Sequence, residues 1–290
     1  MTDDALVDAV SAFAADDLEA ALRLAGGASA PRDDLGQAMV AYLARVAAHG
    51  ATGVYASPEG FTAFIRGGGN RRLYRAVTAG LREIYGALPR PFALADVGCG
   101  DGLALVPSVE GFGLDAAITA IEPSGALLAA AVCALEAAGA RFESFEMSIE
   151  AFIAQHGERR FDLIQSTFAL HNLPREPRRE VLAWARRAAP ALAIVEFDAL
   201  PVDARDPAYI AHVLARYRRG IAEYDADELV VQGFLMPVMF GYFASGRARI
   251  TYEQPAAAWA ADLAAAGFGA VRSSVIDDYW WAPAILLRAV

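Results

Sequence analysis

Three glycines alternate with other residues in the segment 96–102, which reads Asp-Val-Gly-Cys-Gly-Asp-Gly and follows a short apolar run. Because glycine has no Cβ, a ligand can lie directly against the backbone of such a turn. A dinucleotide fingerprint would place glycine or alanine at position 103, where this chain has Leu, and would seldom place Asp two residues before the first glycine. The turn therefore indicates a ligand without a pyrophosphate.

A carboxylate, Glu122, ends the next apolar run, about twenty residues beyond the glycine turn. At the tip of a neighbouring strand, a carboxylate can accept hydrogen bonds from both hydroxyls of a ribose. S-adenosylmethionine combines an adenosine with a cationic sulfonium and an amino-acid tail, and acidic residues suit its charge. The glycine turn and Glu122 together favour this ligand.

His171 lies in the segment 166–174, which follows the fourth apolar run. It is the best candidate for a general base, because the unperturbed pKa of histidine lies near neutrality. It could equally hydrogen-bond the sheet edge and shape the loop. Its neighbour Asn172 either orients an acceptor or caps the turn. Glu196 and Asp198, at the end of a later apolar run, either line the same cleft or are solvated.

Two kinds of hydrophobic periodicity position these residues. Residues 1–90 carry apolar residues at helical spacing without strand-like alternation, which predicts a helical cap. From residue 92 onward, short apolar runs alternate with helical segments, which is typical of a mostly parallel sheet with its loops along one edge. The glycine turn is expected to open a helix at Leu103. Strands are expected at 93–97, 117–121, 141–145, 161–165, 191–197, 270–276 and 284–290.

Residues 201–250 interrupt this alternation with a helical and aromatic insertion, which is long for a simple connection and predicts a lid or substrate wall. Within it, polar and helix-breaking residues interrupt the uncharged stretch 229–246, so we expect a buried lid or contact surface rather than a membrane span. The expected domains are a helical cap at 1–90, an S-adenosylmethionine-binding core at 91–200, a helical lid at 201–250 and the C-terminal part of the core sheet at 251–290.

Residues 96–102 together with Glu122 resemble the first two motifs of class I S-adenosylmethionine-dependent methyltransferases, and the resemblance extends over residues 89–290. It implies a doubly wound α/β, Rossmann-like fold with a seven-stranded, mostly parallel sheet whose last strand is antiparallel. It also implies methyl transfer, with the glycine turn at the methionine end of the cofactor and Ser148 or Glu150 beside the adenine. The cofactor-binding residues that it implies are Asp96, Gly98, Cys99, Gly100, Glu122, Pro123, Ser148, Ile149 and Ser166.

The acceptor pocket is expected to come from aromatic and methionine residues of the cap and the insertion, although such residues are more often core than pocket. Together they suggest an apolar cavity for a small aromatic or lipophilic metabolite. The candidates in the cap are Tyr55, Phe61, Phe64, Asn70 and Tyr74, and those in the insertion are Phe234, Met236, Met239, Phe240 and Tyr242. The substrate-binding residues expected first among them are Tyr74, Phe64 and Met239, together with Asn172.

Composition limits the class of partner. A formal net charge of −10 repels polyanions and makes a nucleic-acid substrate unexpected. The short arginine runs at 71–72, 175–179 and 216–219 are expected to be solvated helix faces without a chemical role. Two cysteines and a start without signal-peptide features suggest a cytoplasmic protein without a metal site or a membrane partner. A homo- or hetero-oligomer stays open.

Three functions fit these features, since function depends on the site rather than on the fold. The first is methylation of a small molecule. The second is a non-methylating step such as a cyclisation or elimination in natural-product biosynthesis, on the same fold. The third is a non-catalytic partner subunit that docks through residues 229–246, and the intact Gly98, Gly100 and Glu122 argue against it.

Overall fold

A computed structural model of the chain describes residues 2–29, 33–50, 57–203, 205–246 and 251–290. Tyr55, one of the residues expected near the acceptor, lies outside these ranges. The chain divides into two compact units. The helical unit consists of residues 1–72, 201–249 and 279–282, and the sheet unit consists of residues 73–200, 250–278 and 283–290. The domain bounds expected from the sequence stay a prediction.

Seven strands form one sheet in the sheet unit. They are β1 (Phe92–Val97), β2 (Ala116–Ile121), β3 (Arg141–Phe145), β4 (Leu163–Thr167), β5 (Ala191–Phe197), β6 (Val271–Asp277) and β7 (Ala284–Ala289). Their order across the sheet is β3-β2-β1-β4-β5-β7-β6. The first five strands are parallel, and β7 runs antiparallel to both β5 and β6. This confirms the expected doubly wound fold and its antiparallel last strand.

Strand β4 begins two residues later than the sequence suggests, at Leu163 rather than Phe161. The cause is Asp162, whose carboxylate Oδ2 accepts a hydrogen bond from the backbone N–H of Ala93 at 2.7 Å. This side-chain bond takes the place of a ladder bond, and the strand then continues to Thr167 at the carboxyl edge of the sheet. The shift moves β4 by two residues toward the edge where the candidate site residues lie.

Helices cover the sheet unit, and their first residues carry side-chain caps where the sequence has serine. Ser124 caps the helix that follows β2 by accepting from Leu127 N, and Ser148 caps the helix that follows β3 by accepting from Ala151 N. A buried apolar cluster that includes Phe152, Leu182 and Trp184 packs the helix after β3, the helix before β5 and the helix before β6 on the sheet. The helices are α6 (Leu105–Val109), α7 (Gly125–Ala137), α8 (Ile149–His156), α9 (Arg175–Ala188) and α13 (Ala256–Ala265).

The helix after the glycine turn starts at Leu105, so its expected start at Leu103 was wrong. Gly102 has a φ of +79°, outside the helical region, and the Asp101 carboxylate accepts from Leu103 N at 3.2 Å. Helical hydrogen bonding starts from Val106 N to Gly102 O at 2.9 Å, but Pro107 has no N–H to donate to the next carbonyl, so the regular helix begins only at Leu105.

The helical unit contains no strand among its described residues, as expected for both the cap and the insertion. Residues 231–235 form a π-helical turn, and Pro237 follows at the start of the next helix, so the uncharged stretch is not one continuous helix. No helix in the described ranges is long and apolar enough to cross a membrane. Its helices are α1 (Thr2–Ala14), α2 (Leu18–Ala28), α3 (Asp34–His49), α4 (Pro58–Arg66), α10 (Pro207–Glu223), α11 (Glu228–Val230) and α12 (Met236–Phe243), and α5 (Asn70–Gly86) begins there and continues into the sheet unit.

Candidate active site

The glycine turn bends sharply at the carboxyl end of β1. Gly98 and Gly100 have φ values of +72° and +57°, which favour glycine, and the N–H groups of Gly98 and Cys99 both donate to Ile121 O on β2. A Cβ on Gly98 would lie 2.4 Å from the Ala169 Cβ, so the loop after β4 packs on the turn. A Cβ on Gly100 would meet no atom within 4 Å. The turn therefore has one packed side and one open side where a ligand can approach the backbone.

Glu122 directly follows β2, and its carboxylate contacts the backbone of the turn at Gly100. Its Oε2 accepts from Gly100 N at 3.0 Å, and its Oε1 accepts from Ser124 N at 2.9 Å. Each oxygen of an ionised carboxylate accepts more than one hydrogen bond, so both retain capacity for a ribose hydroxyl. The structure thus brings the two sequence signals into direct contact.

Asp96, two residues before the first glycine, is a buried carboxylate with an unsatisfied atom. Its side chain is 1% exposed, and its Oδ1 has no hydrogen-bond partner among the described residues. Burial raises the pKa of Asp96 to about 7, and the nearby charge of Glu122 adds to this effect. A cationic group placed beside Oδ1 would satisfy this atom. Together with the open backbone at Gly100 and the position of Glu122, it fits the amino-acid tail and ribose of S-adenosylmethionine.

Five other residues were expected to bind the cofactor, and the structure gives most of them contacts within the protein core, the sheet or a helix cap. The Cys99 thiol is buried, which raises its pKa, and the Ser166 hydroxyl donates to Val97 O at 2.9 Å inside the sheet. Ser148 caps α8, and Ile149 packs in the core below it. Pro123 is exposed beside Glu122. The cofactor roles of these five residues stay predictions.

His171 forms a close pair with Glu196, which lies near the end of β5. Its Nδ1 lies 2.8 Å from Glu196 Oε2, and its backbone N–H donates to Glu196 Oε1 at 3.1 Å. The side chains are 14% and 1% exposed, respectively. Because a carboxylate only accepts hydrogen bonds, the neutral imidazole carries its proton on Nδ1 and leaves the Nε2 lone pair available. One carboxylate thus shapes the loop and orients the ring, and the catalytic role of His171 stays a prediction.

The charges around His171 favour its protonated form. Burial works against the imidazolium, but the charge and hydrogen bond of Glu196, with a contribution from Glu253, outweigh burial and raise the pKa of His171. Glu196 is therefore not a solvated strand end. Asp198 has a structural position instead, because its Oδ1 accepts from Ala256 N at 2.7 Å, at the start of α13.

Three aromatic rings contact one another where β4 and β5 end. Phe168 follows β4 directly in a left-handed conformation with a φ of +51°, which costs a non-glycine residue about 1–3 kcal/mol. Its ring stacks on Phe197 at 4.6 Å, and the ring of Tyr74 meets it edge-on at 6.1 Å. Burial and the nearby Asp101 carboxylate raise the pKa of Tyr74, which keeps its hydroxyl protonated. The predicted substrate residue Tyr74 therefore lies with the turn and loop residues of the sheet unit.

The remaining predicted substrate residues occupy different environments. Asn172 is exposed, and its side-chain amide donates to Ala169 O at 3.2 Å, so it caps the turn that carries His171. In the helical unit, Phe64 stacks on Phe234 at 4.1 Å and is nearly buried, and Met239 is fully buried. Substrate roles for these three residues stay predictions.

Arg178 was expected on a solvated helix face, and that expectation was wrong. Its side chain is 2% exposed, donates to Tyr252 O and Gln254 Oε1, and stacks over Trp259 at 4.4 Å. The buried carboxylate of Asp262 lies 4.0 Å away and compensates the charge. Because Tyr252 N donates to His171 O, this cluster also supports the loop of the candidate base.

The described residues contain no group of three or more histidine, cysteine, aspartate or glutamate side chains that could bind a metal ion. The absence of a metal site stays a prediction.

One family model and several solved structures are similar to parts of this chain or to its fold. Residues 94–190 match the family model described as a methyltransferase domain. No curated protein sequence matches the chain. Similar solved structures include the CMeT domain of the citrinin polyketide synthase, with a TM-score of 0.58, 16% identity, and coverage of 94% of this chain and 69% of that one.

Two further solved structures cover nearly the whole of both chains. Magnesium protoporphyrin IX methyltransferase from Synechocystis PCC 6803, with bound SAM, has a TM-score of 0.51 and 15% identity over 90% of this chain and 99% of its own. A protein of Bordetella parapertussis described as possibly exported has a TM-score of 0.53 and 16% identity over 95% and 96%. At these identities the likeness shows the fold.

Proposed function

Because residues 94–190 match a methyltransferase domain and the fold is similar to that of solved methyltransferases, we propose that the chain is a class I S-adenosylmethionine-dependent methyltransferase that acts on a small-molecule acceptor whose accepting atom loses a proton. The observation that carries this proposal is the buried His171–Glu196 pair, held a few residues beyond β4 on the loop that packs against Gly98. A base at this place is required only if the acceptor must be deprotonated. The pair therefore favours a hydroxyl, an amine or an acidic carbon as the acceptor.

S-adenosylmethionine supplies an activated methyl group, so the protein mainly has to hold donor and acceptor in line. Glu122 would hold the ribose hydroxyls while its bonds to the backbone keep it fixed across the turn. Asp96 would accept the ammonium group of the amino-acid tail, which satisfies its buried Oδ1. Gly98 and Gly100 leave the backbone free of side chains where the donor lies.

His171 would take the acceptor proton on Nε2, and the resulting imidazolium would be stabilised by Glu196 at 2.8 Å. General base catalysis of this kind contributes about 10²–10⁴-fold in rate. The ring is mostly buried, so the proton transfer takes place with little competition from water.

The aromatic rings of Tyr74, Phe168 and Phe197 support a planar or apolar acceptor, since stacked and edge-on rings offer a rigid apolar surface. Methyltransferase neighbours described as acting on a protoporphyrin or belonging to a polyketide synthase lend support to a small-molecule acceptor in specialised metabolism. Both cysteines are free thiols, which suits a reducing compartment such as the cytoplasm.

Calorimetric titration with S-adenosylmethionine tests the donor half of this proposal. We expect saturable binding that Glu122→Ala weakens at least about tenfold, because two hydrogen bonds to a charged group are lost. The matched control is Glu143→Ala, which removes an exposed carboxylate of β3 and should leave binding unchanged. Equal affinity of the Glu122 variant and the wild type would contradict the assignment.

Turnover of a panel of small phenols, amines and carbon acids, followed by formation of S-adenosylhomocysteine, tests the acceptor half. His171→Ala should lower kcat by about 10²–10⁴-fold while the donor still binds. His49→Ala, at an exposed position in the helical unit, serves as the control. Full turnover by the His171 variant would reduce this residue to a role in loop shape.

A further inference from the structure

A row of buried polar side chains leads away from the donor cradle into the sheet unit. The Tyr85 hydroxyl, on α5, donates a hydrogen bond to Gln165 Oε1 on β4. Gln165 stands in register with Asp96 on the neighbouring strand β1. Tyr85, Gln165 and Asp96 are at most 1% exposed, so this row is closed to solvent.

The hydrogen bond from Tyr85 fixes which end of the Gln165 amide faces which neighbour. Because Oε1 is occupied by the Tyr85 hydroxyl, the Nε2 end, which only donates, is the end left for the Asp96 side. Gln165 Nε2 and Asp96 Oδ1 both lack a hydrogen-bond partner in the described structure. The two groups are a donor and an acceptor on neighbouring strands, so the Gln165 amide favours the charged carboxylate, while Asp96 Oδ1 keeps capacity for a bound group.

The Gln165 side chain favours the charged form of the Asp96 carboxyl. Gln165 lowers the pKa of the Asp96 carboxyl and so opposes burial, which raises it. The other titratable groups that face this carboxyl are Glu122 at the end of β2, the Tyr85 hydroxyl and the Cys99 thiol. Tyr85 and Cys99 have pKa values raised well above their ordinary range, so they stay neutral, and Glu122 is the neighbouring charge.

We propose that Tyr85 and Gln165 are positioning residues that keep the buried Asp96 carboxylate charged for the ammonium group of the methyl donor. The inference rests on the proposed function, since it assigns Asp96 to the donor's amino-acid tail. Tyr85 acts through Gln165, and Gln165 acts through Asp96. The pair thereby determines the pH below which the donor cradle loses affinity.

The test is the pH dependence of binding of S-adenosylhomocysteine, which carries the same amino-acid tail and no sulfonium. In the wild type, affinity should fall as the pH decreases through the pKa of Asp96, about 7. In Gln165→Leu, the loss of the amide moves this midpoint upward. A shift of one unit weakens binding about tenfold below the midpoint, while the affinities converge at higher pH where the carboxylate is charged in both proteins.

Tyr85→Phe provides a milder variant for the same measurement. It keeps the ring that packs against Phe92 and Phe112, and removes only the hydroxyl that holds the amide. We expect a smaller upward shift of the midpoint, because the amide is then free to turn. Ser108→Ala is the matched control, since it deletes another buried hydrogen bond of the sheet unit, to Ala104 O, without touching Asp96.

Two outcomes separate this inference from the proposed function. If the wild type binds S-adenosylhomocysteine at no pH, the proposed function itself fails. If the wild type binds but both variants follow its pH curve, or weaken by the same factor at every pH, the positioning role is overturned. 5′-Methylthioadenosine, which lacks the amino-acid tail, should bind the wild type and both variants equally.

Discussion

Substitution of Glu196 by glutamine tests the candidate base through its partner. The change keeps the length of the side chain and removes its charge. In the wild type, the two carboxylate oxygens accept from His171 Nδ1 and His171 N at 2.8 and 3.1 Å. An amide has one acceptor and one donor end, so either the His171 backbone N–H faces a donor, or the imidazole moves its proton to Nε2 and accepts at Nδ1, which removes the lone pair that acts as the base.

The expected magnitude follows from the loss of a charged hydrogen bond at a buried site. Hydrogen bonds to charged groups contribute about 1.5–3 kcal/mol, and each 1.36 kcal/mol corresponds to a factor of about ten in rate. Because Glu196 stabilises the imidazolium that forms during proton transfer, kcat should fall about 10–150-fold.

The pH profile gives a second and independent readout. Burial lowers the pKa of His171, and Glu196 is the main group that raises it, so the substitution should lower this pKa. A base must be neutral to act, and activity is lost as the pH falls through the pKa. The acidic limb of the profile should therefore move to lower pH in the variant.

The assay is steady-state turnover against pH, together with a calorimetric measurement of donor affinity. Donor affinity should stay as in the wild type, because Glu196 is assigned no contact with the donor. Glu143→Gln, at the exposed edge strand, controls for the loss of a carboxylate. A kcat within about twofold of the wild type, with an unmoved acidic limb, would refute the catalytic pairing.

Three further predictions address the fold around the site. Gly98→Ala places a Cβ 2.4 Å from that of Ala169 at a φ of +72°, so donor affinity and melting temperature should both fall, as measured by calorimetry. Arg178→Met removes two buried hydrogen bonds from a charged donor, to Tyr252 O and Gln254 Oε1, and a cost of about 3–6 kcal/mol should lower the melting temperature by roughly 6–24 °C. In thiol labelling of the native protein, exposed Cys133 should react quickly, and buried Cys99 should react only after unfolding.

The sheet and the donor cradle could be predicted because their signals are local. Apolar residues predominate in β1, β2, β5 and β7, and Glu122 directly follows the run that forms β2. The backbone at positions 98 and 100 has positive φ angles, which glycine adopts readily because it has no Cβ, so the glycines themselves indicate the turn. The family resemblance added the antiparallel direction of β7, which an apolar run alone does not contain.

The partners of the site residues could not be predicted, since they depend on which strands become neighbours. His171 and Glu196 meet because β4 and β5 pair in parallel, which places the loop after one beside the end of the other. The same holds for Asp96 and Gln165 on β1 and β4. Arg178 was misassigned because an arginine run indicates solvent exposure on average, whereas its carboxylate partner Asp262 lies far along the chain on α13.

A crystal structure with bound S-adenosylhomocysteine tests the central claim most directly. The account predicts both ribose hydroxyls within hydrogen-bond distance of Glu122, and the ammonium group at Asp96 Oδ1, which has no partner among the described residues. Ligand density at another place, or a ligand whose ribose and ammonium group contact neither carboxylate, would contradict it.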